Sequence, residues 1–256
     1  GDQIAEFQGK LGLTVRNLHK RQARVVQDNC GGAAFSPNGR VLAAVYRVAH
    51  KGTQIRFYKT SSLASVAALS KDGWGHYGFR GPLRWSEDGK LLTCYAQRSG
   101  PPLHGACILN TKNGEMVKFV EGAYFPTFSP GGRLLAYIHA PRARDAAGKK
   151  SDKFKSTGLK VRTIRTDKIV LSQPLDLVWP WSEKVVFFSK TGERVFAADR
   201  RGLHAWELES GRRVLSLPSK ATPACLVRTL DVITRQEDEG VLQFLDPKSG
   251  DRLVSA

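Results

Sequence analysis

The phrase AAFSPNGRVLAAV at residues 33–45 decides how this chain is read. An apolar run leads into Ser36, a polar turn follows around Gly39, and a second apolar run leaves it. Serine and asparagine favour turns because their side chains bond nearby backbone, and glycine enters positive φ without a Cβ clash. Two apolar runs joined by such a turn are a β-hairpin. The phrase recurs as PLRWSEDGKLLTCY at 82–95, FPTFSPGGRLLAYI at 125–138 and VVFFSKTGERVFAA at 185–198. Ser86, Ser129 and Ser189 open these turns, and Gly89, Gly132 and Gly192 supply their freedom of φ.

A second hairpin follows each first one. IRFYKTSSLASVAAL (55–69), CILNTKNGEMVKFV (107–120), VRTIRTDKIVLS (161–172), LHAWELESGRRVLSL (203–217) and VLQFLDPKSGDRLVS (241–255) each read strand, polar turn, strand. Four strands per unit, at about 40–55 residues each, is the pattern of a propeller blade.

These phrases resemble the blades of the WD-repeat family across nearly the whole chain. The resemblance implies an all-β fold: a β-propeller of about six four-stranded antiparallel blades, with the first blade incomplete and the ring truncated or open. The expected organisation is one propeller domain over 1–256, with a partial blade at 1–30 and blades at 31–71, 79–121, 122–175, 176–218 and 222–256. The chain does not begin with Met, and an origin within a longer polypeptide is expected. There are departures from the family. Tyr58-Lys59, Leu109-Asn110, Ile164-Arg165, Leu208-Glu209 and Leu245-Asp246 are read at its Trp-Asp position, and Gly75-His76 is the one Gly-His pair. The family's buried His-Asp-Ser/Thr-Trp network is therefore expected to be missing, leaving apolar packing between sheets to hold the blades.

Composition narrows the function class. With 41% hydrophobic residues among 256, the chain has apolar side chains enough for a folded core. No run of about 18 apolar residues offers a membrane span, and GDQIAEFQGK lacks the regions of a signal peptide. Cys30, Cys94, Cys107 and Cys225 show no metal spacing; Cys94 and Cys107 could face each other across one hairpin, yet two strand cysteines make no disulfide framework. A reducing, cytoplasmic location is the expectation. Forty Lys and Arg against 23 Asp and Glu give a formal charge of +17, a field that attracts anionic partners.

In a four-stranded meander the first and third turns share one end, while the second turns and the crossovers to the next sheet share the other. The long, varied connections here fall at the second end, where binding commonly resides. The longest, PRARDAAGKKSDKFKSTGLK at 141–160, is read as a solvated basic insertion carrying Lys149, Lys150 and Lys153. The crossovers DGWGHYGFRG (72–81) and QPLDLVWPWSE (173–183) contribute Trp74, Tyr77, Arg80 and Trp179, and the second turns contribute Arg98, Arg200 and Arg201. Aromatics among arginines suit a protein-binding hot spot or a phosphate- or base-stacking surface, and interior packing accounts equally for Trp179. The acidic RQEDEG at 235–240 breaks the basic pattern. A second basic patch, Arg16, Lys20, Arg21 and Arg24, falls at the opposite end.

Chemistry is sparse. GWGHYG at 73–78 spells a dinucleotide-binding phrase but lies between strands, without the helix whose N-terminus would meet a pyrophosphate. No metal-protease or hydrolase phrase occurs, and the six histidines stand singly. The expectation is thus a non-catalytic interaction module with no cofactor and no metal. It would bind a protein partner through Trp74, Tyr77, Arg80, Arg98, Lys149, Lys150, Lys153, Trp179, Arg200 and Arg201. Nucleic-acid or other polyanion binding is the alternative, and a propeller enzyme with a central site the second.

Overall fold

The computed structural model describes residues 3–7, 13–17, 23–27, 30–48, 52–69, 77–98, 104–140, 142–144, 150–154, 157–176, 186–218, 225–227, 232–236 and 242–255. They form β-strands joined by turns, with a single short 3₁₀ turn at Pro130–Gly132 and no α-helix. Among them, no helix is long and apolar enough to cross a membrane. The chain divides into two units, Gly1–Glu121 and Gly122–Ala256.

The first unit opens with a three-stranded sheet of β1 (Gln3–Phe7), β2 (Leu13–Asn17) and β3 (Ala23–Gln27). Next comes a four-stranded sheet of β4 (Cys30–Phe35), β5 (Val41–Val48), β6 (Gly52–Lys59) and β7 (Ser65–Leu69). Its last sheet holds β8 (Tyr77–Trp85), β9 (Leu91–Arg98), β10 (His104–Asn110) and β11 (Met116–Glu121). In the second unit β12 (Ala123–Phe128) and β13 (Leu134–His139) lead to an inserted hairpin, β14 (Arg142–Arg144) with β15 (Lys150–Phe154). The sheet is completed by β16 (Gly158–Thr163) and β17 (Ile169–Pro174). Two further sheets follow: β18 (Val186–Phe188), β19 (Arg194–Asp199), β20 (Gly202–Glu207) and β21 (Arg213–Pro218), then β22 (Cys225–Val227), β23 (Val232–Gln236), β24 (Leu242–Leu245) and β25 (Arg252–Ser255). All pairings are antiparallel meanders, save that β13 passes over the inserted hairpin to reach β16.

The repeated phrase is a repeated turn. The hydroxyls of Ser36, Ser86, Ser129 and Ser189 accept the amides of Val41, Leu91, Leu134 and Arg194 at 3.0, 2.9, 3.0 and 3.1 Å. Each serine carbonyl also receives the amide of the turn glycine, as Gly89 does to Ser86 at 2.9 Å. That glycine sits at φ +71°, a region where a Cβ would be strained. The turns between third and fourth strands repeat as well. Leu63, Gly114, Asp167, Gly211 and Gly250 donate to the carbonyls of Lys59, Asn110, Thr163, Glu207 and Asp246. These bonds fix which residues are equivalent and correct the sequence reading. Arg162-Thr163 and Trp206-Glu207, two residues earlier than Ile164-Arg165 and Leu208-Glu209, stand beside Tyr58-Lys59.

Strand β5 explains why the second strand of each sheet reads as an unbroken apolar run. Leu42 and Ala44 face Leu13 and Val15 of the three-stranded sheet. Ala43 and Val45 face the other way, with Ile55 and Phe57, onto Phe79, Leu83, Leu92, Cys94 and Leu109 of the next sheet. Successive strand residues point to opposite faces, so a sheet packed on both sides needs apolar residues at every position. In the second unit Phe187, Phe196, Leu203, Ala205 and Leu215 likewise pack on Leu245. Each fully buried aliphatic or aromatic side chain of this kind contributes about 1.5–3 kcal/mol.

Polar ties cross between sheets of the first unit: the Phe79 amide donates to the Thr53 hydroxyl, and a tryptophan makes another. Trp85 stands edge-on to Phe57 at 5.7 Å and donates its indole N–H to the Ala34 carbonyl at 3.0 Å. Trp85→Phe keeps the aromatic contact and loses the bond, so a destabilisation of about 1–2 kcal/mol is expected in urea unfolding.

Candidate functional site

The second unit carries a connected polar cluster that grows from one tight turn. Strand β19 ends at Asp199, paired with Gly202 at the start of β20, so only Arg200 and Arg201 span the turn. The Asp199 carboxylate is nearly covered, with 6% of its side chain exposed. It accepts the Arg201 amide at 2.8 Å and His204 Nε2 at 2.9 Å on Oδ1, and the Asp176 amide at 3.1 Å on Oδ2. Burial pushes its acidity toward a higher pKa, but the Asp176 amide, His204 and the Arg201 amide outweigh burial and hold the carboxyl below the usual range. The other ring nitrogen, His204 Nδ1, is hydrogen-bonded with the Ser216 hydroxyl at 2.9 Å. Trp206 stands edge-on to the imidazole at 5.8 Å.

This Asp-His-Ser cluster stands beside a tryptophan but is not the family's buried network: Ser216 is exposed, and Trp206 meets the imidazole through its ring. Its histidine comes from the third strand and its serine from the fourth, so no Gly-His phrase announces it. Leu208-Glu209 had been set at the position that Trp206-Glu207 holds, which hid the tryptophan.

The cluster fixes where the neighbouring sheet ends. Asp176, two residues beyond β17, returns its carbonyl to the Arg200 amide at 3.0 Å. Leu175 is held in turn by Thr157, whose carbonyl accepts its amide at 3.2 Å and whose hydroxyl donates to its carbonyl at 2.9 Å. In this unit the second turns and the crossover thus meet at one end, as alternating connections require. A cavity of about 540 Å³ opens there, lined by Gln173, Asp176, Asp199, Arg201, His204, Trp206 and Arg213 among others. Arg201 approaches Asp176 at 3.8 Å with 74% and 47% of the two side chains exposed. Such a contact is worth at most about 1 kcal/mol and leaves the guanidinium open to other partners. In the first unit a cavity of about 340 Å³ lies at the first-turn end beside Asn38, Trp85, Glu87 and Asp88, and no basic residue lines it.

The residues singled out from sequence divide into three groups. Arg200 and Arg201 lie on the turn just described, both exposed. Tyr77, Arg80 and Arg98 are strand residues: Tyr77 pairs with Arg98 and Arg80 with Tyr95 across β8 and β9. The crossover assigned to 72–81 therefore gives way to strand at Tyr77, because the apolar alternation of β8 starts earlier than its first long apolar residues suggest. Lys150 and Lys153 belong to β15, where Arg142 pairs with Phe154 and Arg144 with Lys150. The stretch read as a solvated insertion thus contains a hairpin; its alternation is masked by charge, which a two-stranded ribbon tolerates. Trp74, Lys149 and Trp179 lie outside the described residues. No group of three His, Cys, Asp or Glu among the described residues is placed to hold a metal ion.

No protein-family model matches the chain, and no curated protein matches it in sequence. Solved structures do match it in fold. A chain of the mitotic checkpoint complex superposes with a TM-score of 0.70 at 10% identity, covering 99% of this chain and 76% of that one. Oligogalacturonate lyase in complex with manganese gives 0.65 at 11% identity, over 94% of this chain and 69% of the other. TolB from Acinetobacter baumannii gives 0.56 at 20% identity, over 87% of this chain, which spans about half, 53%, of the TolB chain. The lyase overturns the expectation of a chain without enzymatic activity. That expectation leaned on missing motifs, and an enzyme is built on the same fold. At these identities the comparisons speak to architecture, and the architecture is a β-propeller.

Proposed function

We propose that this chain is an interaction module that takes a protein partner at the end of its sheets where the second turns and crossovers lie. The observation that carries this reading is the Asp199–Asp176 tie. It holds the Arg200-Arg201 turn rigidly beside the cavity while leaving both guanidinium groups in solvent. Arginine on a preorganised turn loses little further freedom on binding, and its planar fork suits carboxylates on a partner. The checkpoint complex, an assembly by its name, is a neighbour in fold and supports the reading by analogy.

Capture from native lysate, with and without nuclease, tests it. Arg200→Glu with Arg201→Glu should reduce retention of a nuclease-resistant protein at least about tenfold, since two arginines at an interface are commonly worth more than 1.4 kcal/mol together. Lys190→Glu with Arg212→Glu, at the other end of the same sheet, should leave retention unchanged. Equal retention by the first variant overturns the assignment. The net charge of +17 favours a second reading, binding of nucleic acid. Partners lost on nuclease treatment, with affinity falling steeply as salt rises, would establish that instead.

A further inference from the structure

The centre of the β8–β11 sheet holds two cysteines directly opposite each other. Cys94 of β9 pairs with Cys107 of β10 in the antiparallel register. Both are fully buried, and their Sγ atoms lie 3.1 Å apart. Directly opposed residues in antiparallel strands have Cα atoms about 4.5–5.5 Å apart, within the roughly 4.4–6.8 Å that disulfides span. Closing the pair to a bond of about 2.05 Å takes a movement of roughly 1 Å, within reach of side-chain rotation and a small strand adjustment. Cys30 is engaged elsewhere, with its thiol donating to the Gly32 carbonyl at 3.5 Å.

We propose that Cys94 and Cys107 are a disulfide site, oxidised by a low-molecular-weight disulfide before the sheet is covered and then sealed inside it. The chemistry balances as two thiol–disulfide exchanges. The thiolate of one cysteine attacks the small disulfide, forming a mixed disulfide and releasing one small thiol. The second cysteine, losing its proton, attacks the protein sulfur and releases the other small thiol. Two protein thiols are oxidised to one disulfide, and one small disulfide is reduced to two thiols.

The timing follows from burial. Both sulfurs lie under Phe79, Leu92 and Leu109 and their neighbours. Burial keeps a small disulfide from both sulfurs and, with Cys107 beside it, pushes the Cys94 thiol well above its ordinary range. In the unfolded chain both sulfurs are open to solvent, and exchange proceeds at the rate of free cysteine. The protein would therefore record the redox poise under which it folded. In a reducing compartment the pair stays as thiols; in an oxidising one it is locked.

Trypsin makes the test direct, because cleavage after Lys90, Arg98 and Lys112 puts Cys94 in the peptide 91–98 and Cys107 in 99–112. Fully reduced chain is refolded from denaturant in a buffer of oxidised and reduced glutathione, alkylated, digested and weighed. The expected product is peptide 91–98 linked to 99–112, with Cys30 and Cys225 alkylated. Native reduced protein in the same buffer should form that link at least about tenfold more slowly, in line with its buried sulfurs. The linked form should melt higher by roughly 5 °C. Alkylation of both cysteines after refolding, or their linkage to Cys30 or Cys225, overturns the site. Equal rates from native and unfolded protein overturn the timing. A Cys30→Ser, Cys225→Ser chain should give the same link, which removes scrambling as an explanation of either result.

Discussion

Gly202→Ala is expected to lower the unfolding free energy by at least about 3 kcal/mol, combining backbone strain with overpacking against a neighbouring strand. Gly202 opens β20 at φ +136°, a conformation L side chains rarely adopt. A Cβ there would overlap the Leu217 carbonyl oxygen and come within 2.8 Å of its carbon. Both atoms are backbone of the paired strand β21, so the clash cannot be relieved by turning a side chain. The comparison that isolates the cause is Gly39→Ala, at φ +68° with nothing within 4 Å of its Cβ position. It should cost only the left-handed conformation, about 1–2 kcal/mol. Urea midpoints of the two variants check both values, and equal losses would mean that close strand approach is not the constraint.

The second large effect sits beside it. Asp199→Ala should cost about 3 kcal/mol, because the Asp176 and Arg201 amides and His204 Nε2 then lose their common acceptor inside the protein. Acid should show the same dependence. The folded pKa of Asp199 lies below its ordinary value of 3.8. The unfolded chain therefore binds the proton first as pH falls, and the stability this carboxylate contributes is fully present above that value. It is lost on descending through 3.8 toward the lower folded pKa. The gap in stability between wild type and Asp199→Asn should accordingly shrink between about pH 5 and pH 3. A gap that does not change with pH would show that the carboxylate charge is not what the turn uses. Asp88 and Asp246, also held low by turn hydrogen bonds, titrate in both proteins and cancel in the difference.

Much of the architecture was legible because the repeat is written in turn residues. Ser36, Ser86, Ser129 and Ser189 each bond five residues ahead, a local geometry that needs serine and glycine whatever the sheets pack against. The third strands carry a quieter mark that the hairpin reading passed over. Gly52, Gly158 and Gly202 begin β6, β16 and β20, and Gly105 is second in β10. At Gly105, Gly158 and Gly202 the carbonyl of the adjoining fourth strand fills the Cβ position. Recurrence of glycine just before an apolar run was visible, but its reason is a contact between strands and not a turn.

The site was less legible. Arg200 and Arg201 could be placed by counting strands, since two residues between Asp199 and Gly202 leave room only for a tight turn. The Asp199–His204–Ser216 arrangement could not. It joins the ends of one strand pair to the middle of another, and single histidines in sequence carry no sign of their partners. The hairpin of β14 and β15 escaped for a different reason. Its strands are short and charged, and apolar period-two alternation is weak in RAR and KSDKF.

The claim on which the functional reading rests is that partners meet the end of the sheets bearing Arg200 and Arg201. Hydrogen exchange of the chain, alone and with its captured partner, addresses this most directly. The account predicts slowed exchange at 198–203 and 174–176, with the first turns at 36–40, 86–90 and 189–193 unchanged. Protection confined to those first turns, with 198–203 exchanging as freely as before, would contradict it.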